Sequence, residues 1–141
     1  MASTGLPRPA AKRLRVFAGP NGSGKSTIVS AFRRTRIPLG IYVNADDLLQ
    51  ALTAGELLLS DYAANADFDA LRRFHEESGQ ARSCGFPFLR GGAPLSVRLD
   101  RRVPDDTLSY SIAALADYLR HCLLAARLDF AFETVFSHPS K

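Results

Sequence analysis

Residues 19–27 read GPNGSGKST, a run of three glycines that ends in a lysine and two hydroxyls. Gly19, Gly24, Lys25 and Ser26 satisfy G-x-x-x-x-G-K-[ST], with Gly22 inside the variable stretch. That set of residue types suits a polyphosphate. The glycines let backbone N–H groups come close to phosphate oxygens, and Lys25 reaches the terminal phosphates as a point charge. Ser26 offers the oxygen that a phosphate-bound Mg²⁺ requires. Pro20, Asn21, Ser23 and Thr27 complete the loop, Thr27 in the first turn of the helix that follows. The plainer reading is a glycine turn that only caps a helix. The flanks argue against it: RLRVFA before the loop places Leu14, Val16 and Phe17 as a buried strand, and KSTIVSAFRR after it puts Ile28, Val29 and Phe32 on one helical face. A strand, a glycine turn and a helix together aim the positive end of a helix dipole at one point.

Phosphoryl transfer also needs a carboxylate that orients or deprotonates the acceptor hydroxyl. Asp46 and Asp47, in VNADDL, follow the second apolar run, Ile41 to Val43. Either could instead cap the helix that begins there, and Asp47, one position further on, suits the helix start better. Glu133 ends a third apolar run, DFAFETVFS, where a carboxylate is costly unless it is paired or faces a cleft. Thr134, Ser137 and His138 beside it are weaker candidates, since hydroxyls and a histidine are ordinary loop chemistry.

The elements that must hold these groups follow from periodicity. TRIPLG stops the first helix at Pro38 and Gly40. Helical spacing runs from Asp46 to about residue 78, broken between Gly55 and Asp61, with Ala63, Ala66, Ala70, Leu71 and Phe74 on one stripe of the second part. Residues 108–127 form a long amphipathic helix through Ile112, Leu115, Leu119, Cys122 and Ala126. Residues 79–107, rich in Gly, Pro and Arg, predict no regular structure. They read as a mobile insertion or a substrate-side excursion, and composition favours the insertion. Residues 1–12 read as a flexible tail and 13–141 as one domain. Strand, loop, helix, strand, helices, strand predicts an open α/β fold with a parallel sheet, in which ligands sit at the carboxyl ends of the strands.

Composition narrows the function classes. At 141 residues, with 46% hydrophobic and 23% charged content, the chain is an ordinary globular domain. No apolar run has the length of a membrane span and the N-terminus lacks a secretory core, so a cytoplasmic protein is expected. Cys84 and Cys122 have no metal-type spacing and read as reduced, structural thiols; His75, His121 and His138 are scattered. Net charge is +4, but residues 1–45 carry eight Lys and Arg and no acid. Arg33, Arg34 and Arg36 fit the complement of a helix dipole better than a nucleic-acid surface, because no aromatic side chains interleave with them.

FAGPNGSGKST, VNADDL and FAFETVFSHPSK, in this order, resemble the zeta toxin family of kinases. The resemblance spans residues 14–141, with 79–107 fitting poorly. It implies a P-loop NTPase-like three-layer fold that binds ATP and Mg²⁺. The implied activity moves the γ-phosphoryl group to a hydroxyl of a small molecule, most characteristically the nucleotide sugar UDP-N-acetylglucosamine. Carried over residue by residue, it implies that Lys25 and Ser26 handle phosphates and Mg²⁺, that Asp46 is the general base, and that Glu133 and Thr134 contact the acceptor. It also implies an antitoxin as a neutralising partner. The family pattern continues with further strands and phosphate-closing arginines that are not found after Lys141, so an incomplete sheet of about three strands is expected. Arg90, Arg98, Arg101 and Arg102 are poor substitutes for those arginines. Two rivals stand beside the kinase. One is a nucleotide-binding module or truncated product without transfer chemistry. The other, ranked last, is an ATPase or GTPase switch, for which no N-K-x-D segment appears and no apolar strand ends in Asp.

Overall fold

The computed structural model describes residues 11–134, so Ser137 and His138 lie outside the described residues. The first strand, β1 (Leu14–Ala18), leads through the glycine loop into helix α1 (Lys25–Arg34), and β2 (Ile41–Val43) leads into α2 (Ala45–Ala54). After β3 (Glu56–Leu58) come α3 (Phe68–Glu77), β4 (Phe88–Arg90), β5 (Ser96–Leu99), the long helix α4 (Leu108–Ala125) and β6 (Phe130–Thr134). The class is α/β.

Three strands make a parallel sheet in the order β1-β6-β2, with Leu14 and Ile41 both opposite Phe130 and Val16 and Val43 both opposite Phe132. β6, last in sequence, is therefore the central strand. Its entry is held by Asp129, whose backbone carbonyl accepts the Ile41 N–H at 3.2 Å and whose carboxylate accepts the Arg13 N–H at 3.0 Å. Gly40 brings β2 to this clamp at φ 71, and a Cβ there would drive into the Asp129 carbonyl.

Alternation along the strands gives the sheet two apolar faces. One packs on α1 through Val29, Leu39 and Ala131, with Phe17, Phe32 and Tyr42 beside them. The other builds the larger core, where Val43 and Phe130 meet Leu115, Leu119 and Leu123 of α4 and Leu48 and Leu52 of α2. Leu14 and Val16, expected to be buried, are about half exposed at 48% and 50%. They lie on the α4 side of the sheet, but β1 is an edge strand and the helices cover β2 and β6 instead. Ile28, also expected inward, is 50% exposed, leaving Val29 as the buried anchor of α1.

The stretch 79–107 corrects the sequence expectation most. It contains β4 and β5, which pair antiparallel with each other and with β3 in a second sheet of order β3-β5-β4. Phe88 and Val97 from it are fully buried in the same core as α2, α3 and α4. Strands of three and four residues between glycines and prolines are too short to show a period of two, which is why composition alone suggests a loop. The helix expected from Ala63 starts instead at Phe68, capped by the Asp67 carboxylate on the Ala70 N–H at 2.8 Å. No helix among the described residues is long and apolar enough to cross a membrane.

Candidate functional site

The loop after β1, the start of α2 and the end of β6 converge on one cleft of about 650 Å³ at the carboxyl ends of the parallel strands. Lys25, Ser26 and Thr27 line it from the first turn of α1, with Asn21, Gly22 and Gly24 from the loop. Asp46 lines it from α2, and Glu133 and Thr134 from β6. Lys25, Ser26, Thr27, Asp46, Glu133 and Thr134 thus share one space, brought together from positions more than a hundred residues apart in sequence.

Gly19, Pro20 and Ser23 serve the loop from behind the rim. The Gly19 N–H donates to the Thr134 carbonyl at 3.3 Å, tying the loop to β6, and the Ser23 N–H donates to the Pro20 carbonyl at 3.2 Å. A Cβ on Gly19 would meet Ser23 Oγ at 2.7 Å, so a side chain there would have to turn the Ser23 hydroxyl aside. The Lys25 ammonium is folded back on its own loop, donating to the carbonyls of Gly19 at 2.8 Å and Pro20 at 2.9 Å.

The helix ends differ in a way that bears on ligand class. α2 is capped by Asn44, whose side chain accepts the Asp46 N–H at 3.1 Å, and α3 by Asp67. α1 begins at Gly24 with φ 88 and no side-chain cap, and its first turn holds no acid. Its initial N–H donors and positive dipole end are left for something else, and they open onto the cleft beside Lys25. A phosphate group fits that set of donors. Mg²⁺ held through phosphate oxygens and the Ser26 hydroxyl needs no protein cage; among the described residues no three His, Cys, Asp or Glu side chains gather as one.

Asn44 also decides what the paired aspartates do. Neither is the cap. Asp46 faces the cleft, while Asp47 is not among its lining residues; burial, and then the negative charge of Asp47, hold the Tyr62 phenol above its ordinary range. Glu133 is half-buried, and its carboxylate acts on the Tyr42 hydroxyl from the same face of the sheet. Burial, and then the nearby Glu133 carboxylate, push the Tyr42 phenol well above its ordinary range, so it stays protonated. Arg33 at the end of α1 stacks over the Tyr42 ring at 4.8 Å.

Comparison with family models, with curated proteins and with solved structures finds no match to the chain. The site is thus read from its own geometry.

Sequence reasoning missed two contributors. Tyr42 carries no motif; only its same-face position beside Glu133 in the sheet, through its partner Ala131, marks it. Arg120 lines the cleft from α4, on a helix whose apolar pattern gives a polar residue no mark of its own. Arg90, Arg98, Arg101 and Arg102 lie outside the cleft. Arg90 pairs with Asp69 at 2.9 Å, and Arg102 with Asp100 at 2.9 Å. Arg98 and Arg101 line a separate cavity between the end of α2, β5 and the start of α4.

Proposed function

We propose that this chain binds ATP with Mg²⁺ through residues 19–27 and belongs to a kinase that moves the γ-phosphoryl group to a hydroxyl of a small molecule. A nucleotide sugar such as UDP-N-acetylglucosamine is the acceptor suggested by the motif resemblance. The observation that carries the reading is the shared cleft. An uncapped helix end with Lys25 supplies the anion site, and Asp46 and Glu133 stand across the same space as carboxylates.

In this reading Lys25 leaves the Gly19 and Pro20 carbonyls for the terminal phosphates, and the N–H groups at the start of α1 hold the phosphate chain in place. Ser26 would offer its hydroxyl to a phosphate-bound Mg²⁺, which would supply charge neutralisation to the transferring group. Asp46 accepts the proton of the acceptor hydroxyl as its oxygen forms the new bond to phosphorus, while the bond from the γ-phosphorus to the bridging oxygen breaks and ADP leaves. Glu133, oriented by Tyr42, and Thr134 hold the acceptor.

Thermal unfolding with and without millimolar Mg-ATP tests the binding half. A ligand present at about 100 times its Kd adds about 2.7 kcal/mol to the folded state. Wild-type protein is expected to show that rise and Lys25→Ala to lose it; no rise in the wild type sinks the reading. Transfer of label from γ-labelled ATP to a UDP-sugar tests the second half. ATP binding with no transfer to any hydroxyl acceptor would leave the nucleotide-binding module as the function.

A further inference from the structure

We propose that Arg120 is a second phosphate-binding cation of this cleft and meets the terminal phosphoryl group of the nucleotide, opposite Lys25. This rests on the nucleotide reading above and adds a residue that no motif marks.

Ala113, Ala116 and Arg120 are three, four and seven positions apart on α4, so they form one stripe, and all three line the cleft. The two alanines leave that wall open. Arg120 is the only long side chain of the stripe, and helical side chains lean towards the N-terminus of their helix. The guanidinium therefore runs back along the wall, where Nη2 donates to the Asp117 carboxylate at 2.8 Å. It also lies over the Phe132 ring, 4.5 Å from the centroid.

That arrangement suits a ligand better than a structural ion pair. The Arg120 side chain is only 20% exposed against 48% for Asp117, so the cation is the more desolvated partner and the carboxylate the freer one. Among the described residues one hydrogen bond, to Asp117, uses the guanidinium, which carries five N–H donors. The guanidinium carbon lies over the Phe132 ring, and the paired N–H groups of a guanidinium match two oxygens of a phosphate. α4 packs against α2, which carries Asp46, so Arg120 belongs to the acceptor-side wall and not to the loop. A phosphate chain anchored at the start of α1 reaches that wall with its terminal group. Asp117 then acts as a tether that holds the arginine until the anion arrives.

The test is calorimetric titration of the whole chain with Mg-ATP and Mg-ADP. Arg120→Ala is expected to weaken ATP about tenfold or more while leaving ADP within about twofold, because only ATP reaches the guanidinium. Arg120→Gln keeps the stem over Phe132 and serves if the alanine variant does not fold; the same loss of preference for ATP is expected. Asp117→Asn should leave ATP binding unchanged or tighter. An unaltered ATP-to-ADP ratio in the Arg120 variants, with Lys25-dependent binding intact, overturns the role of Arg120 alone. Weakening of ATP by Asp117→Asn to the level of Arg120→Ala also overturns it, since the pair would then matter only as a brace. Failure of wild-type protein to bind either nucleotide overturns the nucleotide reading, and this proposal with it.

Discussion

At the scale of single residues, the same side-chain chemistry takes different roles by small displacements. Asp46 and Asp47 are neighbours, yet only Asp46 faces the cleft, because Asn44 caps α2 and relieves both of that duty. Asp46→Asn is expected to leave ATP binding near wild type and to lower phosphoryl transfer by about 10²–10⁴-fold; equal loss of binding and turnover would remove Asp46 as the base. His75 carries a different prediction. It is buried, shares a 2.8 Å hydrogen bond with Ser111 and stacks edge-on against Phe86, and burial lowers its pKa below the ordinary value of 6.5. The unfolded chain therefore binds a proton at this position at a pH where the folded chain does not. Stability is unaffected well above pH 6.5 and falls as pH drops below about 6.5, until His75 titrates in the folded state too. The slope from this one group is at most about 1.4 kcal/mol per pH unit. Urea unfolding of wild type and His75→Gln between pH 8 and 5 checks this, and parallel curves would refute it.

Elements carry the geometry that residues alone do not. Replacing Asn44 with alanine removes the α2 cap and is expected to cost about 1 kcal/mol in denaturant unfolding, against almost nothing for Asp47→Asn. Gly40→Ala should cost more than about 2 kcal/mol, because φ 71 is unfavourable for alanine and the added Cβ collides with the Asp129 carbonyl. A loss below about 0.5 kcal/mol would show that β2 enters the sheet differently. This scale also explains what the sequence could reveal. The loop, α1, α4 and the ends of β2 and β6 were legible because glycine chemistry, caps and a period of 3.6 leave marks within a short window. The sheet of β3, β4 and β5 was not, since β3 finds β5 about forty residues away and each strand is too short to show its own pattern. Edge status was hidden for the same reason. Leu14 and Val16 look like core residues until the strand order places β1 at the rim.

At the scale of the molecule, one continuous core joins α2, α3, α4, both sheets and the floor of the cleft, so stability should depend strongly on where a substitution falls. Leu115→Ala, at a fully buried position, is expected to cost about 2–5 kcal/mol. Val16→Ala on the half-exposed edge strand should cost less than about 1 kcal/mol. Similar losses at both positions would mean that the outer face of β1 is covered in solution. The central place of β6 has a further consequence, in time instead of space. Among the described residues β1 and β2 share no ladder and each pairs only with β6, so neither joins this parallel sheet until residues 130–134 have been synthesised. At about 5–20 residues per second, β1 waits on the order of ten seconds after emerging from the ribosome, with its apolar side chains in the care of whatever binds nascent chains. The antiparallel sheet and its helices can settle first, because their contacts are closer in sequence. Pulse-labelled hydrogen exchange during refolding should therefore find the amides of β5 protected before those of β1. The reverse order would show that the glycine loop and its strand assemble without waiting for the strand that divides them from β2.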